Sequence, residues 1–329
     1  MNDELLRQIL SQKALPSIPQ IALEVVRLSG NEDVSIEEIG RVVSRDPAIA
    51  ARVVRMANSP VFGTPHKIGT VGQAVSILGL RTVCVVTLSS ALVDGIDEHK
   101  VEGFDYPMFW SDALACALAA RCAGALSGAR QLEEAFLCGL LQDLGIYALN
   151  AALGRRYSVL VDEARGTGAE LSAVEESFLG LNHADVSAAL LGQWRFPEQL
   201  VESVRSHVHE PRERPSRGEP EHMMAALFVA EHARRVFRRP TLATVEDFVR
   251  HAYGLLGLDR EQANEVLTYV QDNIRRISES LNLELCGHGN LSEARTLASE
   301  ILARLTMESK DGADGDARGH GLGCVRPAI

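Results

Sequence analysis

The sequence predicts an all-α protein: a multi-helix bundle with a C-terminal helical extension and a disordered tail. Three observations predict it. Apolar residues recur at helical spacing, with almost no sustained alternation. Residues that open and close helices bracket those runs. Aromatic residues make up only 5% of the 329, so the core must be built from Ala, Val, Leu and Ile, which suits helices packed closely through small side chains. A chain of this length that is 46% hydrophobic buries one large core or two modest ones, which excludes a disordered polymer.

Residues 1–14 form a lead-in helix, and Ile21, Val25 and Leu28 then make one helical stripe. Ser35-Ile36-Glu37-Glu38 reads as a capping box, in which the serine oxygen accepts from the third backbone N–H and the glutamate reaches back. It opens a short helix with Ile36, Ile39, Val42 and Val43 inside. Asp46 and Pro47 start the next, Asp46 as N-cap and Pro47 in the first turn, where its missing N–H costs nothing. Asn58-Ser59-Pro60 stops that helix; side-chain-to-backbone bonds explain Asn58 and Ser59 better than ligand binding does. Thr70-Val71-Gly72-Gln73 is a second start of capping-box type, and its helix ends at Gly79, a residue suited to the left-handed closing position. Further helices are predicted over about 81–93, 108–126, 133–150, 155–166, 170–180 and 183–195, and Pro197 opens one running to about His209. Residues 211–220 (PRERPSRGEP) read as a loop. The extension, 221–307, holds helices over Glu221–Arg238 and Val245–Leu256 and a long amphipathic pattern from Arg260 to Leu281. Residues 308–329, rich in Gly and Asp without periodicity, read as the tail.

A formal net charge of -11 argues against nucleic acid as the main partner, because phosphate binding needs a net basic face. The acidic start Met1-Asn2-Asp3-Glu4 is unlike a secretory signal. The apolar stretches around Val83–Val93 and Ala113–Ala120 are too short or interrupted to span a bilayer. A cytoplasmic protein without membrane contact is therefore expected. Cys84, Cys116, Cys122, Cys138, Cys286 and Cys324 include no C-x-x-C pair and read as buried free thiols of a reducing compartment. Neither a Gly-rich phosphate loop nor a G-x-S-x-G nucleophile elbow occurs.

One series of motifs is more specific. Leu15-Pro16-Ser17-Ile18-Pro19 is followed by Ser44-Arg45-Asp46-Pro47-Ala48-Ile49-Ala50 and Val53-Val54-Arg55-Met56-Ala57-Asn58-Ser59. Phe62-Gly63, Ile68-Gly69-Thr70-Val71 and Ala74-Val75-Ser76-Ile77-Leu78-Gly79 complete it. In this order and spacing the series resembles the bacterial HDOD domain family, over residues 15–210. The resemblance implies a helical bundle related to the HD and HD-GYP phosphohydrolases, whose His and Asp side chains hold metal ions that activate water. It also implies that such chemistry has generally been lost in favour of signalling.

Carried over residue by residue, the resemblance outlines a relic pocket. The family's first histidine falls at Asp112, in Phe109-Trp110-Ser111-Asp112. The paired His-Asp becomes Gln142 and Asp143, in Leu140-Leu141-Gln142-Asp143-Leu144-Gly145, and the lysine that often follows the glycine is Ile146. A neutral amide is a much poorer ligand for a transition metal than imidazole. His183 matches a histidine of the enzymes, His207 and His209 sit where a His-His pair is common, with His207 taken as the pocket position, and Glu231 lies near a final Asp ligand. Structural explanations stand beside these roles. Asp143 could accept backbone N–H bonds or pair with an arginine, and His183 could cap or pack a helix start. His66, His99, His222, His251, His288 and His320 read as surface or tail residues. Arg234, Arg235, Arg238 and Arg239 suit a solvated helix end, or a patch for an anion or acidic partner.

These readings combine into an expectation: a signal-transduction regulator or scaffold acting through protein–protein contacts, with no catalytic residues, no cofactor and no metal. The alternatives are a residual metal-dependent phosphohydrolase and a sensor that holds a nucleotide or cyclic dinucleotide second messenger in the relic pocket.

Overall fold

The computed structural model describes residues 2–12, 15, 20–29, 35–59, 67–98, 101–216, 220–285 and 293–304, and no strand occurs among them. The predicted tail, Phe62-Gly63, most of the Leu15–Pro19 motif, Cys286, Cys324 and the histidines at 66, 99, 288 and 320 lie outside the described residues.

Helix α1 is Asp3–Leu10, α2 Gln20–Ser29, α3 Ile36–Val43 and α4 Pro47–Ala57. Asp46 caps α4 as the sequence predicts, its carboxylate accepting from Ala48 and Ile49 N–H, with Pro47 in the first turn. Only half of the first capping box forms: Ser35 accepts from Glu38 N–H. The second is complete, because Thr70 and Gln73 each accept from the other's backbone. Helix α5 spans Val71–Glu98 and bends at Gly79, whose φ of +82° is open to glycine and strained for other residues.

The centre of the molecule is α6, Tyr106–Ser127. It packs against α7 (Leu132–Leu141), α13 (Pro220–Arg238) and α15 (Arg260–Leu281). Its buried run of Ala113, Ala117, Ala119, Ala120 and Ala123 lets those neighbours come close. The α7 crossing is tightest at Gly139, where a Cβ would lie 2.8 Å from Ala117 Cα and Cys116 O. By length and composition α6 and the stretch 132–153 could cross a bilayer; 78% and 72% of their apolar windows are buried inside the protein, so packing accounts for that apolarity.

The single helix expected over 133–150 is two: α7, then α8 (Leu144–Leu153). The physical reason is Ser187, whose hydroxyl donates to Gln142 O and accepts from Gly145 N–H, both at 2.7 Å. A side chain inserted into the hydrogen-bond ladder breaks a helix. Helices α9 (Arg155–Thr167), α10 (Leu171–Leu179), α11 (His183–Gln193) and α12 (Glu198–Ser206) complete the first part. The extension begins at Pro220 and continues with α14 (Leu242–His251), a π turn at Ala252–Leu256, α15, and a helix α16 at 293–304. It belongs to the same apolar core as the first part, which runs from Ile9 to Leu302.

Two histidines expected at the surface are buried. His222 faces Ser127 Oγ at 2.8 Å, and His251 packs at a tilt against His232 with ring centroids 4.1 Å apart. Both sit on helices whose inner faces meet neighbouring helices, so tertiary packing decides their burial.

Candidate functional site

Several helix ends and two helix faces converge beside α6. Gln142 and Asp143 occupy the break between α7 and α8, His183 opens α11 and His207 caps the end of α12. Asp112 and Cys116 lie one turn apart on α6, and Glu231, Arg234, Arg235 and Arg238 follow one another at i, i+3, i+4 and i+7 on α13.

The ligand-type atoms of Asp143, His183 and His207 all lie within 4.8 Å of one another, and so do those of Cys116, Asp143 and Glu231. Among the described residues Asp143 pairs with neither an arginine nor a backbone run: its Oδ1 is 3.5 Å from His183 Nε2 and 3.4 Å from His207 Nε2. Burial works to raise its pKa, but the His207 hydrogen bond and the charges of His207 and His183 outweigh it and hold the carboxyl below its ordinary value.

His183 does not cap its helix; Asn182 does, in a capping box with Asp185. The imidazole is held instead by Glu175, a fully buried carboxylate that accepts from His183 Nδ1 at 2.6 Å, His183 N–H at 2.8 Å and the Tyr157 hydroxyl at 2.5 Å. Burial opposes the charge on His183, yet Glu175, then Asp143 and Glu231, raise its pKa to about 9. His207 Nδ1 donates to Val204 O at 2.7 Å, which turns Nε2 toward Asp143. Gly145 is obligatory beside this group, since a Cβ there would stand 1.9 Å from His183 O.

The opposite flank is closed by an arginine. Arg234 donates to Glu231 through Nε at 2.7 Å and through a second, short bond from Nη2, and to Asp112 from Nη1 at 3.2 Å. Burial works to raise the Glu231 pKa, but Arg234 and Arg235 hold the carboxyl far below its ordinary value. Arg238 engages both Asp112 oxygens, and Arg235 is bidentate to Glu170 at 2.5 Å. Of the predicted arginine patch, Arg234, Arg235 and Arg238 are thus paired with carboxylates, because the α13 row faces the acidic groups of α6, of its own helix and of Glu170 at the start of α10.

Gln142 is fully buried, and neither amide atom has a hydrogen-bond partner among the described residues. Such a stranded amide costs about 1–3 kcal/mol per group. The donor set tests directly against the family's metal chemistry. One cation fits the two imidazoles and the carboxylate of Asp143, whose second partners, Glu175 and the Val204 carbonyl, orient each ring in the way metal-site histidines are oriented. A second does not fit, because Asp112 and Glu231 already share a guanidinium.

All six positions outlined by the sequence thus belong to one region. Missed by sequence reasoning were Glu175, Tyr157, Ser187 and Cys116. Only Glu175 left a signal: it falls on the apolar stripe of α10, one turn from both Leu171 and Leu179. Away from this region Asp46, Pro47 and Gly79 have the structural roles described above, and Asn58 caps the end of α4.

Known proteins resemble this chain in sequence and in fold. An uncharacterized protein of Treponema pallidum (strain Nichols) is 25% identical over 202 residues, 60% of this chain; the match spans 38% of that relative's length. A crystal structure from Shewanella amazonensis SB2B, provisionally named a phosphohydrolase, superposes with a TM-score of 0.64 at 24% identity, covering 82% of this chain and 99% of that one. An HDOD domain protein of unknown function from Geobacter sulfurreducens gives 0.61 at 21%, covering 91% and 98%. A provisionally named signal transduction protein from Marinobacter aquaeolei VT8 also gives 0.61 at 21%, covering 85% and 65%. At these identities the structures speak for the fold, an HD-like helical bundle. The family itself follows from the sequence model of the HDOD domain, which matches residues 15–211; across well over half its length, this chain belongs to the HDOD domain family.

Proposed function

We propose that this protein is a non-catalytic signal-transduction regulator that works by contact with a partner protein, with the former metal pocket retained as a structural charge cluster. The observation that carries the proposal is Arg234. Its guanidinium supplies, within the chain, the positive charge that Asp112 and Glu231 would otherwise need from outside. Gln142 adds support, since the residue before Asp143 offers no imidazole. The fold it shares with a provisionally named signal transduction protein is consistent with this reading.

The test is to purify the full chain without a tag and assay bis-p-nitrophenyl phosphate hydrolysis with added Mn²⁺ or Fe²⁺. No turnover above that of Asp143→Asn is expected. Turnover removed both by chelator and by Asp143→Asn would sink the proposal. A second reading has one observation in its favour, the Asp143–His183–His207 donor set. A cation there would act as a Lewis acid on an oxygen ligand. Binding requires His183 to release the proton that Glu175 and Asp143 now stabilise, so uptake should strengthen as pH rises toward 9. Elemental analysis decides: near-stoichiometric iron, manganese or zinc favours this second reading.

A further inference from the structure

A cavity of about 810 Å³ lies between α4 and α15, with residues 67–69 on its rim. None of its described lining residues belongs to the Asp143 pocket. Val54 and Ile68 supply apolar wall; Arg55, Lys67 and Arg276 supply three positive charges. Among the described residues none of these three side chains has a hydrogen-bond or ion-pair partner. The carboxylate of Glu279, which also lines the cavity, is engaged by Arg275 at 3.0 Å.

Asn58 and Ser59, adjacent in the family motif, divide two tasks. Asn58 holds the cavity's edge in place: its amide donates to Val54 O at 2.7 Å and Ile68 O at 2.8 Å, and its oxygen accepts from Ile68 N–H at 2.8 Å. Ser59 is 6% exposed, lines the cavity, and its hydroxyl has no hydrogen-bond partner among the described residues. A buried hydroxyl without a partner is unusual in a native structure and points to a group that would complete it. Arg55, Lys67 and Arg276 are exposed at this concavity, and three cations gathered there stand out in a protein of net charge -11.

We infer that this cavity binds a small phosphate-bearing anion of nucleotide size. The charges match a polyphosphate or phosphate ester, the orphaned hydroxyl matches a phosphoryl oxygen, and the apolar wall matches the organic body. The volume lies within the roughly 300–1,000 Å³ common for small-molecule sites. Because α4 and α15 form opposite walls, an occupant would tie the first part of the chain to the extension and raise the stability of the native state.

Isothermal titration of the full-length protein with ATP, adenosine and inorganic pyrophosphate tests this. ATP should bind, more weakly as salt is raised, while adenosine should not. Arg55→Ser with Arg276→Ser should weaken ATP binding by at least about tenfold, the size expected for one lost charge-assisted contact. Asp143→Asn should leave it unchanged, which separates this cavity from the relic pocket. If the double variant loses its far-UV circular dichroism, Lys67→Ser, on the cavity rim, replaces it with the same expectation. No ATP or pyrophosphate binding at millimolar concentration, or binding undiminished in these variants, would overturn the inference. Pyrophosphate binding as tightly as ATP would overturn the nucleotide-size assignment.

Discussion

Glu175 is the residue on which the His183 side of the pocket turns. Among the described residues it is buried without an arginine partner, and the donors of Tyr157 and His183 satisfy it. Removing a single partner from a buried charged pair leaves the other uncompensated, commonly at about 3–5 kcal/mol. Glu175→Gln keeps the shape and removes the charge, so the His183 pKa should fall from about 9 toward its ordinary 6.5. His183 is raised in the folded state, so the stability it contributes is fully present below the unfolded value of 6.5. That contribution disappears as pH climbs through about 9. Urea unfolding in chelator should therefore show a wild-type advantage over Glu175→Gln that shrinks, by an amount on the order of 3 kcal/mol, between pH 6 and pH 9.5. An advantage that stays constant over that range would mean that Glu175 does not hold the His183 proton.

At the scale of elements, what was legible in the sequence was what a helix decides locally. Asp46 and Pro47 open α4, Asn58 closes it and Gly79 bends α5, because caps and positive φ depend on residues a few positions apart. The break at Gln142–Asp143 was illegible, because it is made by Ser187, more than forty residues away in sequence. The same helix–helix contact gives Gly145 its importance. A Cβ at Gly145 meets backbone on α11 at 1.9 Å, and backbone cannot swing aside as a flexible side chain can. Gly166 on α9 has nothing within 4 Å of its would-be Cβ. Gly145→Ala should thus destabilise by about 2 kcal/mol or more through overpacking, while Gly166→Ala should stabilise by about 0.5–1 kcal/mol through helix propensity. Chemical denaturation of the two variants checks the contrast; similar effects would mean that α8 and α11 are not in close contact.

At the scale of the whole molecule, the pocket was half legible. Its positions follow a motif order, so Asp112, Gln142, Asp143, His183, His207 and Glu231 could be named; their partners could not. That Arg234 turns toward Asp112 and Glu231 rather than solvent depends on α13 lying along α6, a contact between segments over a hundred residues apart. The same contact bears on how the molecule unfolds. Residues 15–211 carry the family match, yet α6 at their centre is covered by α13 and α15 from the extension, whose Ala225, Val229, Val236, Val266 and Val270 are buried. Without the extension, α6 would expose an apolar face, and the carboxylate of Asp112 would lose Arg234 and Arg238. The two parts should therefore unfold together. Fluorescence of Trp110 on α6 and Trp194 at the end of α11, followed with far-UV circular dichroism in urea, should give coincident transitions. A chain ending at residue 211 should bind a hydrophobic dye and lack a cooperative transition. Two separated transitions in the full chain, or a cooperatively folded 1–211 fragment, would instead make the extension a separate unit docked on a self-sufficient domain, with its helices free to move when a partner binds.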